Sequence, residues 1–146
     1  MHDHNFFTSQ IVGWTKKFFD SPGLDIADDT QDIIAGARPE QLNAWVNGKH
    51  RKCLPDFYAR DSLREPSLYV VGEAKTGDDF ISRHDDAEIQ MNVMINFLKN
   101  KPEPILIYSI PNKFKDRVIN ELNTKIYEFK ANRIRVEVID QYFKYK

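Results

Sequence analysis

The segment Leu-Tyr-Val-Val-Gly-Glu-Ala-Lys at residues 68–75 restricts the fold more than any other part of the sequence. It is apolar until its last residues, which predicts a strand. Residues 51–59 predict another strand with a proline inside it, and the polar residues 60–66 between the two are typical of a turn. Two strands joined in this way are expected to form an antiparallel hairpin.

Helices and strands alternate after this hairpin. Residues 85–99 predict a helix, whose apolar face is formed by Ala87, Met91, Met94, Ile95 and Leu98. A buried strand is predicted at residues 105–110, before Pro111. The next helix has an apolar stripe formed by Phe114, Val118, Leu122, Ile126 and Phe129. A last strand at residues 134–139 completes the order, which predicts an α/β fold.

The first third of the sequence has a helical pattern. The apolar residues with helical spacing of three and four are Phe7, Ile11, Trp14 and Phe18. The Ser-Pro-Gly sequence at residues 21–23 is expected to end this helix. Asp29 or Thr30 can cap a short second helix. Pro39 is placed to begin a third, which runs through Trp45 and ends before Gly48. We therefore predict a helical part at residues 1–48 and an α/β core at residues 49–146.

The chain length of 146 residues suits one domain over residues 1–146. Cys53 is the only cysteine, which excludes an intramolecular disulfide and predicts a small apolar packing residue. No stretch approaches the roughly 20 apolar residues of a membrane span, and the start lacks signal-peptide features. A cytoplasmic location without membrane contact is therefore expected. His2 and His4 are expected to lie in a disordered terminus.

Charged residues gather at the ends of the two hairpin strands. Asp56 follows a proline on the first strand, and Glu73 and Lys75 close the second. Residues two apart in a strand point to the same face, so Glu73 and Lys75 project together, and Asp56 can join them if the strands pair. Two carboxylates can hold Mg²⁺, which prefers oxygen ligands, and a lysine beside them can orient an attacking water. The grouping suits hydrolysis of a phosphodiester.

A basic run directly precedes this group and consists of Lys49, His50, Arg51 and Lys52. The net charge of −1 does not indicate nucleic-acid binding, so the position of the run matters more than the total charge. A basic run is usually a solvated face, and a Glu-x-Lys sequence is often a surface ion pair. Their closeness to paired carboxylates favours a nucleic-acid-binding surface beside a catalytic site.

The two strand ends resemble the PD-(D/E)xK nuclease superfamily. The residues that carry the resemblance are Leu-Pro-Asp-Phe-Tyr-Ala at 54–59 and Val-Val-Gly-Glu-Ala-Lys-Thr at 70–76. They are similar to the second and third core strands of archaeal Holliday-junction resolvases and of the VRR-NUC family. The resemblance implies a restriction-endonuclease-like core in residues 49–146, with a mixed central β-sheet flanked by helices, preceded here by an N-terminal helical segment.

The resemblance also implies roles for residues at the matching positions. Asp56 and Glu73, with the backbone carbonyl of Ala74, would bind Mg²⁺ or Mn²⁺. Lys75 would assist the water nucleophile. Gln90, on the helix that follows, matches a glutamine that many relatives direct toward the site.

Two features of the superfamily are less evident in this sequence. Many members carry an acid on their first helix, and Glu40 is the best candidate because it is the only glutamate before the motif. Members usually have a strand between that helix and the Pro-Asp strand, where this sequence predicts mostly helix up to residue 47.

Three functional classes follow from these observations. The first is a metal-dependent endonuclease acting on DNA, double-stranded or branched, with Asp56, Glu73, Lys75 and Gln90 as its catalytic residues. The second is a catalytically inactive nucleic-acid-binding module on the same fold, and the third is a protein-interaction or regulatory domain. A homodimer is expected of the first class, because cutting both strands requires two active sites. Aromatic residues of the N-terminal helix could form its interface.

Overall fold

The N-terminal helix is formed as the residue spacing predicts. The structure, a computed structural model, describes residues 3–28, 42–46, 48–77 and 83–144. Helix α1 spans His4–Phe19, and the carboxylate of Asp3 caps it by accepting the N–H of Phe6 at 2.9 Å. Its buried face includes Ile11 and Trp14, and it ends before residues 21–23, as predicted. Phe18, which was predicted to share this face, is exposed.

A five-stranded mixed sheet forms the centre of the molecule, in the order β1-β4-β5-β6-β7. Its strands are β1 Leu24–Asp28, β4 Phe57–Asp61, β5 Leu68–Ala74, β6 Glu103–Ser109 and β7 Arg135–Ile139. The pairs β1–β4 and β4–β5 are antiparallel, whereas β5–β6 and β6–β7 are parallel. The predicted hairpin is confirmed, with Phe57 opposite Gly72 and Asp61 opposite Leu68.

Helices cover both faces of this sheet. Alternate residues of β5 and β6 point to opposite faces, so both strands are apolar nearly throughout. Val70 and Ile107 pack in a core cluster with α1, and Val71 and Leu106 pack in a second cluster on the other face. The second cluster contains helices α2 His84–Leu98, α3 Lys115–Asn123 and α4 Ile126–Ala131. The α/β class, with a mixed sheet flanked by helices and an N-terminal helix, is confirmed.

The single long helix predicted after Pro111 is divided into shorter pieces. A 3-10 turn at Asn112–Phe114 leads into α3, and α3 and α4 are separated by Thr124 and Lys125. Val118, Leu122 and Phe129 nevertheless reach one core cluster, as the stripe predicts. Apolar spacing determines which face of the helices is buried, but it does not determine where one helix ends and the next begins. Within the described residues, we find no helix that is both long and apolar enough to cross a membrane.

The prediction of a mostly helical part at residues 1–48 is wrong over two strands. Strand β1 was missed, because Leu-Asp-Ile-Ala-Asp is only five residues long, includes two aspartates and is stabilised by pairing with β4. The helix predicted from Pro39 through Trp45 is contradicted over β2, Leu42–Val46, which pairs with β3, Lys49–Cys53. Gly48 has φ 77° in the turn between them. A glycine there is as typical of a hairpin turn as of a helix end.

The strand predicted at residues 51–59 is two strands in different sheets. β3 ends at Cys53 and β4 begins at Phe57, so Leu54, Pro55 and Asp56 connect the β2–β3 hairpin to the central sheet. Proline cannot donate a ladder hydrogen bond, which explains why pairing stops there. Asp56 therefore lies at the entry to β4. The helix caps predicted at Asp29, Thr30 and Pro39 lie outside the described residues.

Candidate active site

The pairing of β4 with β5 brings Asp56 to the end of β5. Because Phe57 lies opposite Gly72, the residue before β4 comes next to the last residues of β5. Oδ2 of Asp56 accepts the backbone N–H of Ala74 at 2.9 Å, which fixes the carboxylate at this position. The structure therefore brings together the two strand ends that were predicted to meet.

Glu73 lies in the interior beside Asp56. It is 3% exposed, and its Oε1 has no hydrogen-bond partner within the described part of the chain. Its Oε2 lies 3.6 Å from Nζ of Lys75. Burial raises the pKa of Glu73 well above 4.5, the charge of Asp56 raises it further, and Lys75 opposes the rise. In its ionised form, this pair of carboxylates needs more positive charge than Lys75 provides.

We expect Glu73→Gln to raise the melting temperature of the metal-free protein near neutral pH. The raised pKa means that the folded protein holds a proton on Glu73 that the unfolded chain releases. The stability that this proton preserves is fully present below about pH 4.5 and is lost as the pH rises through the folded-state pKa of Glu73. A neutral glutamine therefore raises the free energy of unfolding most above that pKa. Thermal denaturation in chelator should show a gain of several degrees, at roughly 2–4 °C per kcal/mol, that shrinks toward acid pH.

The matched control for this prediction is Glu65→Gln. Glu65 is an exposed glutamate in the turn between β4 and β5, so its substitution should leave the melting temperature nearly unchanged. A lower melting temperature of Glu73→Gln at neutral pH, with Glu65→Gln unchanged, would contradict the prediction. It would mean that ionised Glu73 is stabilised by Lys75 more than it is penalised by burial.

Lys75 and Gln90 meet at the mouth of the site. Nζ of Lys75 donates to Oε1 of Gln90 at 2.8 Å, and the lysine side chain is only 15% exposed. The backbone N–H of Lys75 donates to the carbonyl of Ser109, which extends the β5–β6 ladder past Ala74. The ammonium is therefore held between Glu73 and Gln90, and α2 contributes to the site as the sequence suggested.

His4 is a site residue that the sequence reasoning missed. It is the first residue of α1, not part of a disordered terminus as expected, and its Nε2 lies 3.3 Å from Oδ2 of Asp56. Gly72 allows α1 to lie close to β5, since a Cβ there would be 3.1 Å from Ile11 and Ile107 side-chain atoms. Nothing in the spacing of the sequence connects His4 with Asp56, because the contact depends on how α1 packs on the sheet.

The donor set at this position fits a divalent cation that prefers oxygen. The observation that tests the fit is the buried, unpartnered Oε1 of Glu73 beside the carboxylate of Asp56. In the described ranges, no group of three or more His, Cys, Asp and Glu side chains is arranged to hold a metal. Backbone oxygen and water can complete the coordination of a metal held by two carboxylates, as is common for Mg²⁺.

A polar cleft of about 280 Å³ opens at the site. Three basic side chains, those of Lys52, Lys75 and Arg83, line it together with Gln90 and one acid, Asp86. From the basic run, Lys52 lines this cleft, whereas Lys49 and Arg51 line a second groove with Asp85 and Glu88 of α2. A larger apolar groove of about 440 Å³ lies between α3, α4 and β7 and is lined by no carboxylate. We place the candidate chemistry beside the polar cleft because Lys75, whose ammonium lies 3.6 Å from Glu73, lines it.

Cys53 is buried, as predicted, and close enough to Glu73, Asp56 and Lys75 for their charges to act on its thiol. Burial first, and then the charge of Glu73, raise the pKa of its thiol to about 12, with a smaller contribution from Asp56 and an opposing one from Lys75. It therefore cannot serve as a nucleophile at neutral pH. Glu40, the candidate acid for a first helix, lies outside the described residues and stays a prediction.

Fold and site together define an α/β protein with paired carboxylates and a lysine at one end of a mixed sheet. No protein-family model matches the sequence, and no curated protein matches it. Among solved structures, the chain is similar to an XisH family protein from Nostoc punctiforme PCC 73102, whose crystal structure was determined at 1.60 Å resolution. The two share 16% sequence identity over 92% of this chain and 91% of the other, with a TM-score of 0.44.

Proposed function

We propose that this protein is a metal-dependent nuclease of the PD-(D/E)xK type that hydrolyses phosphodiester bonds in DNA. The observation that carries the proposal is the buried carboxylate of Glu73, which lies beside Asp56 and 3.6 Å from the ammonium of Lys75. One of its oxygens has no hydrogen-bond partner among the residues that the structure describes. Buried acids without enough positive charge nearby are costly to keep, so their presence favours a site that receives a cation.

The proposed roles follow from the contacts of each side chain. Asp56 and Glu73, with the carbonyl of Ala74, would hold Mg²⁺ or Mn²⁺. When bound, the metal would neutralise charge on the phosphate and make a water more acidic. The N–H of Ala74 donates to Oδ2 of Asp56, and His4 contacts the same oxygen, so both position the carboxylate.

Lys75 acts on the reacting groups. Its ammonium is held by Gln90 and can donate to the attacking water and to a phosphate oxygen. As the water oxygen bonds to phosphorus, the bond from phosphorus to the leaving oxygen breaks. The attacking water gives up one proton to solvent, and the leaving oxygen takes up one proton from solvent. Lys52 and Arg83 line the same cleft and supply charge complementary to the DNA backbone.

The proposal predicts cleavage that depends on Mg²⁺ or Mn²⁺. Calcium should support DNA binding but little turnover, because its looser coordination activates water poorly. The measurement is a gel-based panel with linear, nicked, single-stranded and branched DNA and with RNA, repeated with each metal and with excess chelator. Full activity in excess chelator would remove the metal from the mechanism. DNA binding without cleavage under all conditions would favour the inactive nucleic-acid-binding module.

A homodimer is also proposed, since a duplex has two strands to cut. The aromatic residues of α1 offer less surface for it than expected, because Phe7, Trp14 and Phe19 are buried in the protein's own core. Phe18 is exposed on that helix. Any interface formed by α1 would therefore be centred near Phe18.

A further inference from the structure

The β2–β3 hairpin presents an exposed tryptophan that the proposed mechanism does not use. Trp45 is 70% exposed, which is unusual for a large apolar side chain. It lies opposite His50 in the β2–β3 register, with ring centroids 5.6 Å apart and ring planes at 65°. Aromatic rings in this arrangement attract each other, so His50 helps to hold the indole in place. Trp45 is thus presented as a positioned ring on an antiparallel ribbon.

Strand alternation separates the two faces of this hairpin. Leu42, Val46 and Cys53 are buried in the core cluster with α2. The opposite face, which we name the ribbon face, consists of Asn43, Trp45, His50 and Lys52. All four of these residues are exposed, and none is acidic. The ribbon face therefore combines an amide, two aromatic rings and an ammonium.

The ribbon face leads into the cleft of the candidate active site. Lys52 belongs to the ribbon face and also lines the cleft with Lys75 and Arg83. His50 and Lys52 are two residues apart in a strand, which corresponds to roughly 7 Å along it. A nucleic-acid strand with a phosphate in the cleft can therefore place a neighbouring base against Trp45. Lys52 is thus shared by the ribbon face and the cleft, whose described lining also includes one acidic side chain, Asp86.

We infer that the ribbon face binds an unpaired segment of DNA, with a base stacked on Trp45 and the adjoining phosphates at Lys52 and Arg83. Every base offers a flat face for stacking, and aromatic rings within a positively charged groove bind single strands in this way. Bases in a duplex already stack on each other, so a paired strand cannot use Trp45 without unstacking. The inference rests on the proposed function and specifies it: the preferred substrate contains single-stranded DNA beside the position of cleavage.

The test is equilibrium binding in excess chelator, which prevents turnover. Fluorescence anisotropy would compare a fluorescein-labelled thymidine oligonucleotide with a labelled blunt-ended duplex that has no unpaired bases. Trp45→Ala should weaken single-strand binding by about 5- to 150-fold, because one stacked base contributes about 1–3 kcal/mol. Duplex affinity should change by less than about twofold, since the phosphate contacts remain. Trp45→Phe should keep most of the single-strand affinity.

Two further variants test whether a loss of binding in Trp45→Ala comes from a disturbed strand or from the loss of any exposed aromatic ring. Trp45→Thr keeps strand propensity and should lose single-strand binding as Trp45→Ala does. Tyr127→Ala removes an aromatic ring that is 84% exposed on α4 and should bind like the wild type. Wild-type single-strand affinity in both Trp45→Ala and Trp45→Thr would overturn the inference and point to a protein partner for this face. An equal loss for single strand and duplex would overturn it as well.

These outcomes separate the inference from the proposed nuclease activity. A wild-type protein that binds single strands through Trp45 but cuts no DNA with any metal would end the proposed function and keep the ribbon-face assignment. If the protein instead cuts DNA with metal but its single-strand binding does not depend on Trp45, the proposed function stands and the ribbon-face assignment is wrong.

Discussion

Asp56→Ala and Glu73→Ala are expected to lose DNA cleavage by roughly 10³-fold or more, because several kcal/mol of metal-derived stabilisation of the transition state would go with the metal. Among the described residues, Asp56 and Glu73 are the side-chain carboxylates that meet at the end of β5, and Glu73 has a buried oxygen with no partner there. DNA affinity should change little or rise, since each substitution removes a negative charge that repels phosphate. Calorimetric titration with Mn²⁺ should show that metal binding is lost.

The matched control for these variants is Glu103→Ala. Glu103 begins β6 at the opposite end of the same sheet and forms a surface ion pair with Arg64, so its loss should leave cleavage and metal binding unchanged. Circular dichroism would confirm that all three variants fold. If folded Asp56→Ala and Glu73→Ala cut DNA at the wild-type rate, the site lies elsewhere. Glu73 and Lys75 would then be only a buried ion pair.

Lys75→Ala is expected to separate metal binding from turnover. The ammonium lies 3.6 Å from a Glu73 oxygen but is proposed to act on the water and the phosphate. Its removal should keep metal binding and lower the single-turnover rate by about 10²–10³, the usual effect of losing one such electrostatic contact. Lys75→Arg should restore little, because a planar guanidinium cannot replace a compact ammonium held between Glu73 and Gln90.

The cleavage rate of Gln90→Ala should fall between those of Lys75→Ala and the wild type. It removes the oxygen that accepts from Nζ at 2.8 Å but leaves the ammonium itself. A smaller loss of rate than in Lys75→Ala is therefore expected, with metal binding again retained. Equal metal affinity and equal rates in Lys75→Ala and wild type would exclude the proposed role of the lysine. Loss of metal binding in Lys75→Ala would instead mean that the ammonium is required to assemble the carboxylates.

The sequence predicted the parts of the fold that local pattern determines. The face of α1, the β4–β5 hairpin and the helix after it follow from apolar spacing, and the hairpin alone brings Asp56 beside Glu73. Strand β1 and strand β2 were not predicted, because both are short and are stabilised by pairing with strands distant in sequence or by packing on α2. Local propensity cannot report such tertiary effects.

In the candidate site, too, local sequence pattern predicted some residues, whereas others depend on tertiary packing. Gln90 could be proposed because its helix and its spacing from Lys75 are visible in the sequence. His4 and the ribbon face could not be proposed from the sequence. The contact of His4 with Asp56 depends on the close packing of α1 over Gly72. The ribbon face depends on β2 being a strand, so that Trp45 lies opposite His50. The same residues in a helix would have had different neighbours.

Because Cys53 is buried, the rate at which its thiol is alkylated would report how often the β2–β3 hairpin moves away from α2. The thiol is packed under the hairpin against the cluster that contains α2, and its pKa of about 12 leaves almost no thiolate at neutral pH. An alkylating reagent can therefore react only during moments when the hairpin separates from the helix. Because the sequence has one cysteine, intact-mass spectrometry would time these separations without any engineered label. A bound oligonucleotide that holds the hairpin closed would be seen as slower alkylation.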